Sequence, residues 1–152
     1  MRFRIVAVGR LRDAPSRALF DEYAARLTWP LTVREVELKR PLPPEEAKAE
    51  EGRLLLEAVG KDATLVALDE RGRDWTSIEL ARRIGEWRDE GVPDVVFAIG
   101  GADGLDPALV RRAVATLAFG RMTWPHRLAR VMLVEQLYRA QQILAGHPYH
   151  RA

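Results

Sequence analysis

Short apolar runs constrain this chain more than any other sequence feature. Residues 63–68 (ATLVAL) and 94–99 (DVVFAI) each end at a turn-forming sequence, and residues 3–8 (FRIVAV) end at a glycine. A strand of such composition is covered on both faces, as in a parallel sheet with helices on each side. Residues 31–38 (LTVREVEL) instead alternate apolar and charged residues, which predicts a strand near an edge of the sheet.

Helical patterns separate these strands. Residues 17–27, 45–59 and 76–90 are predicted to be helical, and Asp106-Pro107 begins a shorter helix that runs to about residue 115. Residues 69–74 are predicted to be a turn and residues 117–119 a brief strand. Strands that alternate with helices predict an α/β fold, with a largely parallel sheet flanked by helices. Length and the lack of a repeat or linker predict one domain over residues 1–152.

Composition excludes several classes of protein. The chain has no cysteine, which excludes disulfides, thiolate nucleophiles and cysteine-ligated metals. It also has no uncharged apolar run long enough for a signal peptide or a membrane span. These features predict a cytoplasmic protein.

Charge is distributed unevenly along the chain. Residues 111–152 contain seven arginines, one acid (Glu135) and all three histidines, a net charge of +6, whereas residues 1–110 carry −4. A basic end on an acidic body suggests an anionic partner such as nucleic acid. Chance clustering of arginines on a solvated face explains the charge alone equally well.

The last helical pattern, residues 127–145, is apolar around most of its circumference. Such a helix must be covered on more than one side, and the sheet of so small a domain covers one side only. We therefore expect a second subunit to cover another side, most simply across a two-fold axis. The alternative is a central helix wrapped by its own chain.

A glycine loop follows one of the buried strands. Gly100-Gly101-x-x-Gly104 lies where loops at the carboxyl ends of parallel strands line ligand crevices. The loop lacks the spacing of dinucleotide and P-loop motifs, and Asp103 would repel a phosphate. It indicates a ligand without phosphates, or merely a tight turn.

The chain closes with a second segment rich in functional side chains. This tail, residues 146–151 (GHPYHR), combines rings, hydrogen-bond donors and a guanidinium, a set suited to stacking an unpaired base and holding its phosphate. The alternative is a frayed chain end. His147 and His150 do not have the setting of a metal-binding pair, so no metal is predicted.

Five motifs occur in a characteristic order along the whole chain: Leu68-Asp69, Ile99-Gly100-Gly101-x-x-Gly104, Thr123-x-Pro125-His126, Leu137-Tyr138-Arg139-Ala140 and His147-Pro148-Tyr149-His150-Arg151. With them the sequence resembles the RlmH family. These are SPOUT-class methyltransferases that modify N3 of a pseudouridine in large-subunit (23S) ribosomal RNA. The closing HPYHR after the LYRA helix is the most specific part of the resemblance.

The resemblance implies a homodimer, a deep trefoil knot at the C-terminal side and S-adenosylmethionine as methyl donor. Carried over residue by residue, it implies a cofactor pocket formed by Leu68, Gly100, Phe119, Gly120, Arg121, Met122, Thr123 and Trp124. Trp124 stands where the family usually has leucine, and Phe119-Gly120-Arg121 replaces a more serine-rich run. Backbone contacts to the cofactor are therefore better supported than side-chain contacts.

Methylation at N3 requires removal of the imide proton or stabilisation of its anion. Our hypothesis is that His150 or His126 helps to remove the proton, that Arg151 stabilises the developing anion or holds a phosphate, and that Tyr149 packs on the base. Predicted RNA contacts are Arg111, Arg112, Arg127, Arg130 and His147. The substrate is free ribosomal RNA or the assembled ribosome, and the tail acts on the cofactor loop of its own subunit or of its partner.

Two other functions fit parts of the sequence. A non-catalytic dimeric RNA-binding protein, such as a ribosome-associated factor, would share the basic end and the tail. A small-molecule α/β enzyme would use the glycine loop but would not need the basic tail.

Overall fold

The computed structural model describes residues 1–149. Within them, strands and helices follow one another in this order: β1 (Arg2–Val8), α1 (Ala14–Arg26), β2 (Leu31–Val36), α2 (Pro44–Val59), β3 (Thr64–Arg73), α3 (Ser77–Asp89), β4 (Asp94–Ile99), α4 (Pro107–Arg112), β5 (Ala115–Leu117) and α5 (His126–Leu144). The strands pair in parallel in the order β2-β1-β4-β3-β5, which confirms the predicted α/β fold. No helix in the described part of the chain is both long and apolar enough to cross a membrane.

The continuous apolar strands occupy the middle of the sheet. Every residue of β4, the central strand, is buried. Because successive side chains point to opposite faces, Phe97 packs with α1, α3 and α5, whereas Ala98 packs with α2 and α4. The alternating sequence of β2 lies at an edge, as predicted, and pairs with β1 alone.

Local sequence sets several helix ends. The Asp13 side chain caps α1 by accepting a hydrogen bond from the Ser16 N–H at 3.1 Å. Thr76 and Glu79 exchange reciprocal hydrogen bonds at the start of α3, and α2 stops at Gly60, whose φ is +83°. These caps satisfy N–H and C=O groups that a helix end leaves without partners.

The prediction of a turn over residues 69–74 is wrong. β3 continues through that segment to Arg73, because its register shifts and Arg73 pairs with Leu117 of β5. The crossing is close: a Cβ on Gly72 would lie 2.7 Å from the carbonyl carbon and oxygen of Thr116. Pairing with β5 thus overrides the local turn-forming sequence, while the trefoil knot stays a prediction.

The next helix and strand are displaced from their predicted positions. α4 ends at Arg112 rather than near residue 115, and β5 begins at Ala115 rather than at residue 117. Ala115 pairs with Val66 of β3, so the chain must leave its helix earlier to reach the sheet.

The last helix lies between two others on the sheet. α5 packs against α1 on one side and α3 on the other, and Leu133, Leu137 and Ala140 are fully buried. Its own chain therefore covers most of the apolar surface for which a second subunit was expected. The apolar surface that stays exposed in this region includes Leu128 of α5, which is 39% exposed, and Leu19 of α1, which is 43% exposed.

Charged groups at the amino ends of the strands are paired within the chain. Arg4 donates from Nη2 to Asp94 Oδ2 at 2.7 Å and also to two carbonyls at the end of α2. The Arg112 guanidinium donates to the carbonyl of Ala63, just before β3, at 2.7 Å. Charge-assisted hydrogen bonds thus satisfy the polar groups where the strands begin, an end of the sheet that we call its amino edge.

Candidate active site

A large cavity opens at the carboxyl ends of β3, β4 and β5. Its volume is about 810 Å³, which is within the usual range for small-molecule sites. Three segments supply most of the lining: the second half of β3, the glycine loop after β4, and the loop between β5 and α5. The lining residues are Lys48, Leu68–Arg71, Ile99–Leu105, Leu117–Gly120, Met122–His126 and Ala129.

Polar contacts hold the loop between β5 and α5 in place. Thr123 Oγ1 donates to the carboxylate of Glu70, which links this loop to the chain after Leu68. Trp124 Nε1 donates to the Phe119 carbonyl at 2.9 Å and so closes the loop on itself. The loop that the resemblance implied for the cofactor is therefore a defined wall of the cavity.

The glycine loop needs its small residues. A Cβ on Gly100 would lie 2.9 Å from the carbonyl oxygen of Gly104 and 3.0 Å from a methyl carbon of Leu105. Gly104 itself has φ +83°, a left-handed conformation that favours glycine. The loop is thus folded tightly on itself at the cavity wall, which agrees with the predicted tight turn, while its binding of a ligand stays a prediction.

Two acids at the cavity differ in their electrostatics. Burial alone would raise the pKa of Asp69, but hydrogen bonds from the side chain and backbone N–H of Arg71 lower the pKa below its ordinary value. Burial and the negative charge of Asp103 instead raise the pKa of Glu51, although a hydrogen bond from the Gly101 backbone acts in the opposite direction. The charged form is therefore more favoured for Asp69, and less favoured for Glu51, than for the same side chain in water.

Most of the predicted cofactor residues come together in this cavity. The residues that line it are Leu68, Gly100, Phe119, Gly120, Met122, Thr123 and Trp124. Arg121 is exposed and does not line the cavity. His126, predicted to act in catalysis, lies in the wall at the first residue of α5.

The described part of the tail, which ends at Tyr149, lies on a different part of α5 from His126. Tyr149 donates from its hydroxyl to Glu135 Oε1 at 3.2 Å, and its ring packs edge-on against Tyr138 at 4.7 Å. Burial and the nearby Glu135 raise the pKa of Tyr149 to about 12, so the phenol is neutral at physiological pH. Tyr149 does not line the large cavity, and His150 and Arg151 lie outside the described residues.

A second cavity, of about 460 Å³, lies between α1, α3 and α5. Glu135, which accepts the hydrogen bond from Tyr149, is one of its lining residues. The two cavities share one wall, formed by Leu117, Ala118, Phe119 and Gly120. The tail contact on α5 is therefore next to the second cavity, and the larger cavity lies behind the shared wall.

The structure separates the predicted RNA contacts. Arg127 is exposed at the start of α5, 3.6 Å from Asp13, and His147 is exposed near the chain end. Arg130 is buried and donates to Glu35 Oε2 at 2.6 Å and to the Gly9 carbonyl at 3.1 Å, so its guanidinium is not available at the surface.

The other two predicted RNA contacts are at the end of α4. Arg111 is exposed there. Arg112 is half-buried and donates to backbone carbonyls at the amino edge of the sheet, opposite the cavity. Clustering of arginines in sequence therefore did not identify one RNA-binding surface.

Sequence reasoning missed two acids near the cavity. Asp69 was noted only within a motif and a turn, and its place after a buried strand could have marked it. Glu51 lies in a helix rich in glutamate, and nothing in the local sequence distinguishes it from its exposed neighbours. Within residues 1–149, no group of three or more histidine, aspartate and glutamate residues is arranged to hold a metal ion.

Relatives with assigned names match the chain end to end. It is 59% identical over 152 residues to the ribosomal RNA large subunit methyltransferase H of Rhodospirillum centenum, covering 100% of both chains. It is 55% identical over 152 residues to the protein of the same name from Rhodospirillum rubrum, again covering 100% of both chains.

Solved structures share the fold at low sequence identity. A methylase family protein from Neisseria gonorrhoeae superposes with a TM-score of 0.56 at 14% identity, covering 99% of this chain and 87% of that one. The SpoU methyltransferase AviRb from Streptomyces viridochromogenes gives a TM-score of 0.50 at 15% identity, covering 96% of this chain and 61% of that one.

The family described as "Predicted SPOUT methyltransferase" matches residues 1–150. The chain therefore belongs to the SPOUT methyltransferase family, in the group of the ribosomal RNA large subunit methyltransferase H proteins.

Proposed function

We propose that this protein transfers a methyl group from S-adenosylmethionine to N3 of a pseudouridine in large-subunit ribosomal RNA. The observation that carries the proposal is the cavity at the carboxyl edge of the sheet, which three of the five motifs of the resemblance line: Leu68-Asp69, Ile99–Gly104 and Thr123–His126. Family membership and the names of the full-length relatives support the reaction class and the substrate class.

The cavity fits the methyl donor in size and charge. Its lining combines apolar side chains, such as Leu68 and Trp124, with three acids, Asp69, Glu70 and Asp103. The cations of the lining, Lys48 and Arg71, are both paired with acids. An excess of carboxylates suits a ligand that carries a sulfonium and an ammonium group and has no phosphate.

The chemistry needs an acceptor nitrogen that has lost its proton. S-adenosylmethionine supplies an electrophilic methyl group, and the sulfur–methyl bond breaks as the nitrogen–methyl bond forms. His126 lines the cavity and is a candidate to take the N3 proton. Tyr149 lies outside this cavity and is neutral, so it is not a candidate to remove the proton, and only the resemblance supports its packing on the base. From the resemblance, His150 and Arg151 remain proposed for proton removal and anion stabilisation.

The exposure of each predicted side chain decides whether it can contact RNA. Arg127 lies beside His126 at the start of α5 and is 54% exposed, so it is placed to meet a phosphate next to the cavity. His147 and Arg111 are also exposed. Arg112 and Arg130 are not expected to contact RNA, because their guanidiniums are engaged within the chain.

We also infer a homodimer, acting on ribosomal RNA in the cytoplasm. Leu19 and Leu128 leave exposed apolar surface near the second cavity, and such patches favour contact with another protein surface. Light scattering at micromolar concentration should give twice the chain mass. A monomer at that concentration would contradict the dimer without affecting the assignment of the cofactor cavity.

The decisive experiment has two parts. Calorimetry should detect S-adenosylmethionine binding, and mass spectrometry of ribosomal RNA from a deletion strain should show loss of one methyl group, restored when the purified protein is added back to RNA or to ribosomes. RNA binding without cofactor binding would instead identify a non-catalytic RNA-binding protein. Comparing free RNA with ribosomes also identifies the form of the substrate.

A further inference from the structure

Glu51 is a buried acid that the proposed reaction does not use. It lies in α2, on the face of the sheet opposite α5, and is only 8% exposed. Within residues 1–149 it forms no salt bridge, and its Oε2 atom is buried without a hydrogen-bond partner. A buried polar group left in this state is costly, which points to a role other than stability.

The carboxyl group lies directly behind the glycine loop. A Cβ on Gly101 would lie 2.8 Å from Glu51 Oε2 and 3.2 Å from Val8 Cγ1, so the side chain fills the space behind the loop. The Gly101 backbone also acts on this carboxyl group, since it lowers the pKa of Glu51 against the larger effect of burial. Gly101 lines the large cavity, which places Glu51 one layer behind the proposed cofactor site.

The next residue of α2 braces the far end of the same loop. A Cβ on Gly52 would lie 2.5 Å from Asp106 Cβ, and Asp106 is the residue that precedes α4. Two consecutive residues of α2 therefore lie against Gly101 and Asp106, one within the glycine loop and one just after it. This geometry lets α2 fix the position of the whole loop relative to the sheet.

We propose that Glu51 is a positioning residue for the cofactor, whose side chain holds the backbone of the glycine loop in the conformation that lines the binding cavity. It acts through Gly101 and does not touch the cofactor. Within residues 1–149 no cation pairs with the carboxyl group, and burial and Asp103 raise the pKa of Glu51, so the role is assigned to the shape of the side chain and not to its charge. The inference rests on the proposed cofactor site.

The first test compares cofactor affinities measured by calorimetry. Glu51→Ala should weaken S-adenosylmethionine binding about tenfold or more, whereas Glu51→Gln, which keeps the shape and an acceptor oxygen without a charge, should stay within about threefold of the wild type. Glu50→Ala is the matched control: Glu50 is the preceding residue and hydrogen-bonds with the exposed Arg53, so the affinity should not change.

The second test uses the close approach of Gly101. Gly101→Ala alone should weaken cofactor binding because its methyl group meets Glu51. In the double variant Glu51→Ala/Gly101→Ala, the loss should be clearly smaller than the product of the two single losses. Steady-state kinetics should show the change in KM for S-adenosylmethionine, with kcat preserved at saturating cofactor, and the Tm of each variant shows whether it is folded.

Each outcome bears on a separate conclusion. If the wild type did not bind S-adenosylmethionine, the proposed function itself would fail. If the wild type bound and Glu51→Ala bound equally well, only the positioning role would fail. An equal loss in Glu51→Gln and Glu51→Ala would also overturn it, since the charge would then matter. If Glu51→Ala did not fold, Glu51→Gln and Gly101→Ala would still decide, because a wild-type affinity for Gly101→Ala contradicts the proposal.

Discussion

The sheet uses charged residues in different ways at its amino edge, where the strands begin, and at its carboxyl edge, where they end. At the amino edge, Arg4 and Asp94 pair at 2.7 Å, and Arg112 donates to backbone carbonyls. At the carboxyl edge, Glu51 is buried without a cation, and Trp124 leaves 42% of its surface exposed at the cavity. One edge satisfies its polar groups internally and contributes stability, while the other retains groups and surface suited to a ligand.

The largest effect is expected at the amino edge. Arg4→Met should lower the free energy of unfolding by about 3 kcal/mol, because the largely buried Asp94 carboxylate loses its main partner. Chemical denaturation measures this loss, and the affinity for S-adenosylmethionine should not change. Arg2→Met is the control, since Arg2 is 63% exposed and 3.3 Å from the same acid. Equal losses in the two variants would show that burial does not decide the energetics of this edge.

A smaller loss of stability should occur where β3 crosses β5. Gly72→Ala places a methyl group against the Thr116 backbone, which cannot move without breaking the strand pairing. We expect a loss of about 2 kcal/mol in chemical denaturation. Gly85→Ala in α3 is the control, because its methyl group would meet only the movable end of Leu144 at 3.1 Å. A tolerated Gly72→Ala would mean that the crossing is looser than described.

At the carboxyl edge a substitution should change binding rather than stability. Trp124→Ala removes part of the cavity wall and the hydrogen bond to Phe119, and should weaken S-adenosylmethionine binding about tenfold, equivalent to about 1.4 kcal/mol. The Tm should change little, because the ring is partly exposed. Ile78→Ala, at an exposed position outside the cavity wall, should leave the affinity unchanged. A large fall in Tm would remove the distinction between the edges.

The smallest effect concerns acid stability. Burial opposes ionisation, but hydrogen bonds from Arg4 and Arg2 lower the pKa of Asp94 below its ordinary value. Its stabilising contribution is therefore present above the unfolded-state pKa of about 3.9 and is lost as pH falls through the lower folded-state pKa. Chemical denaturation between about pH 5 and pH 2 should show a shallower decline for Asp94→Asn than for the wild type. An identical decline would exclude Asp94 as the responsible group.

The sequence predicted the fold where local pattern and burial coincide. β4 could be predicted because every one of its residues is buried, so the strand reads as a continuous apolar run. The extension of β3 to Arg73 could not be predicted. It is stabilised by pairing with Leu117, which lies more than forty residues away along the chain. The strand order also arises from such distant pairings.

The site was predictable in part for the same reason. The resemblance identified seven of the lining residues, since they lie in or next to motifs that are local in sequence. The side chains of Arg130 and Glu51 could not be assigned, because their burial depends on Glu35 and on the glycine loop. In sequence they look like solvated charges, and only the packing of distant elements distinguishes them from their neighbours.

The wall shared by the two cavities, residues 117–120, has a consequence for how ligands bound in the two cavities affect each other. Four residues form the side of both spaces, so a ligand that moves the wall from one side alters the shape available on the other. By linkage, the effect of the first ligand on the affinity of the second equals the reverse effect. Titrating the proposed cofactor cavity with S-adenosylmethionine, with and without a ligand bound in the second cavity, would measure that coupling directly.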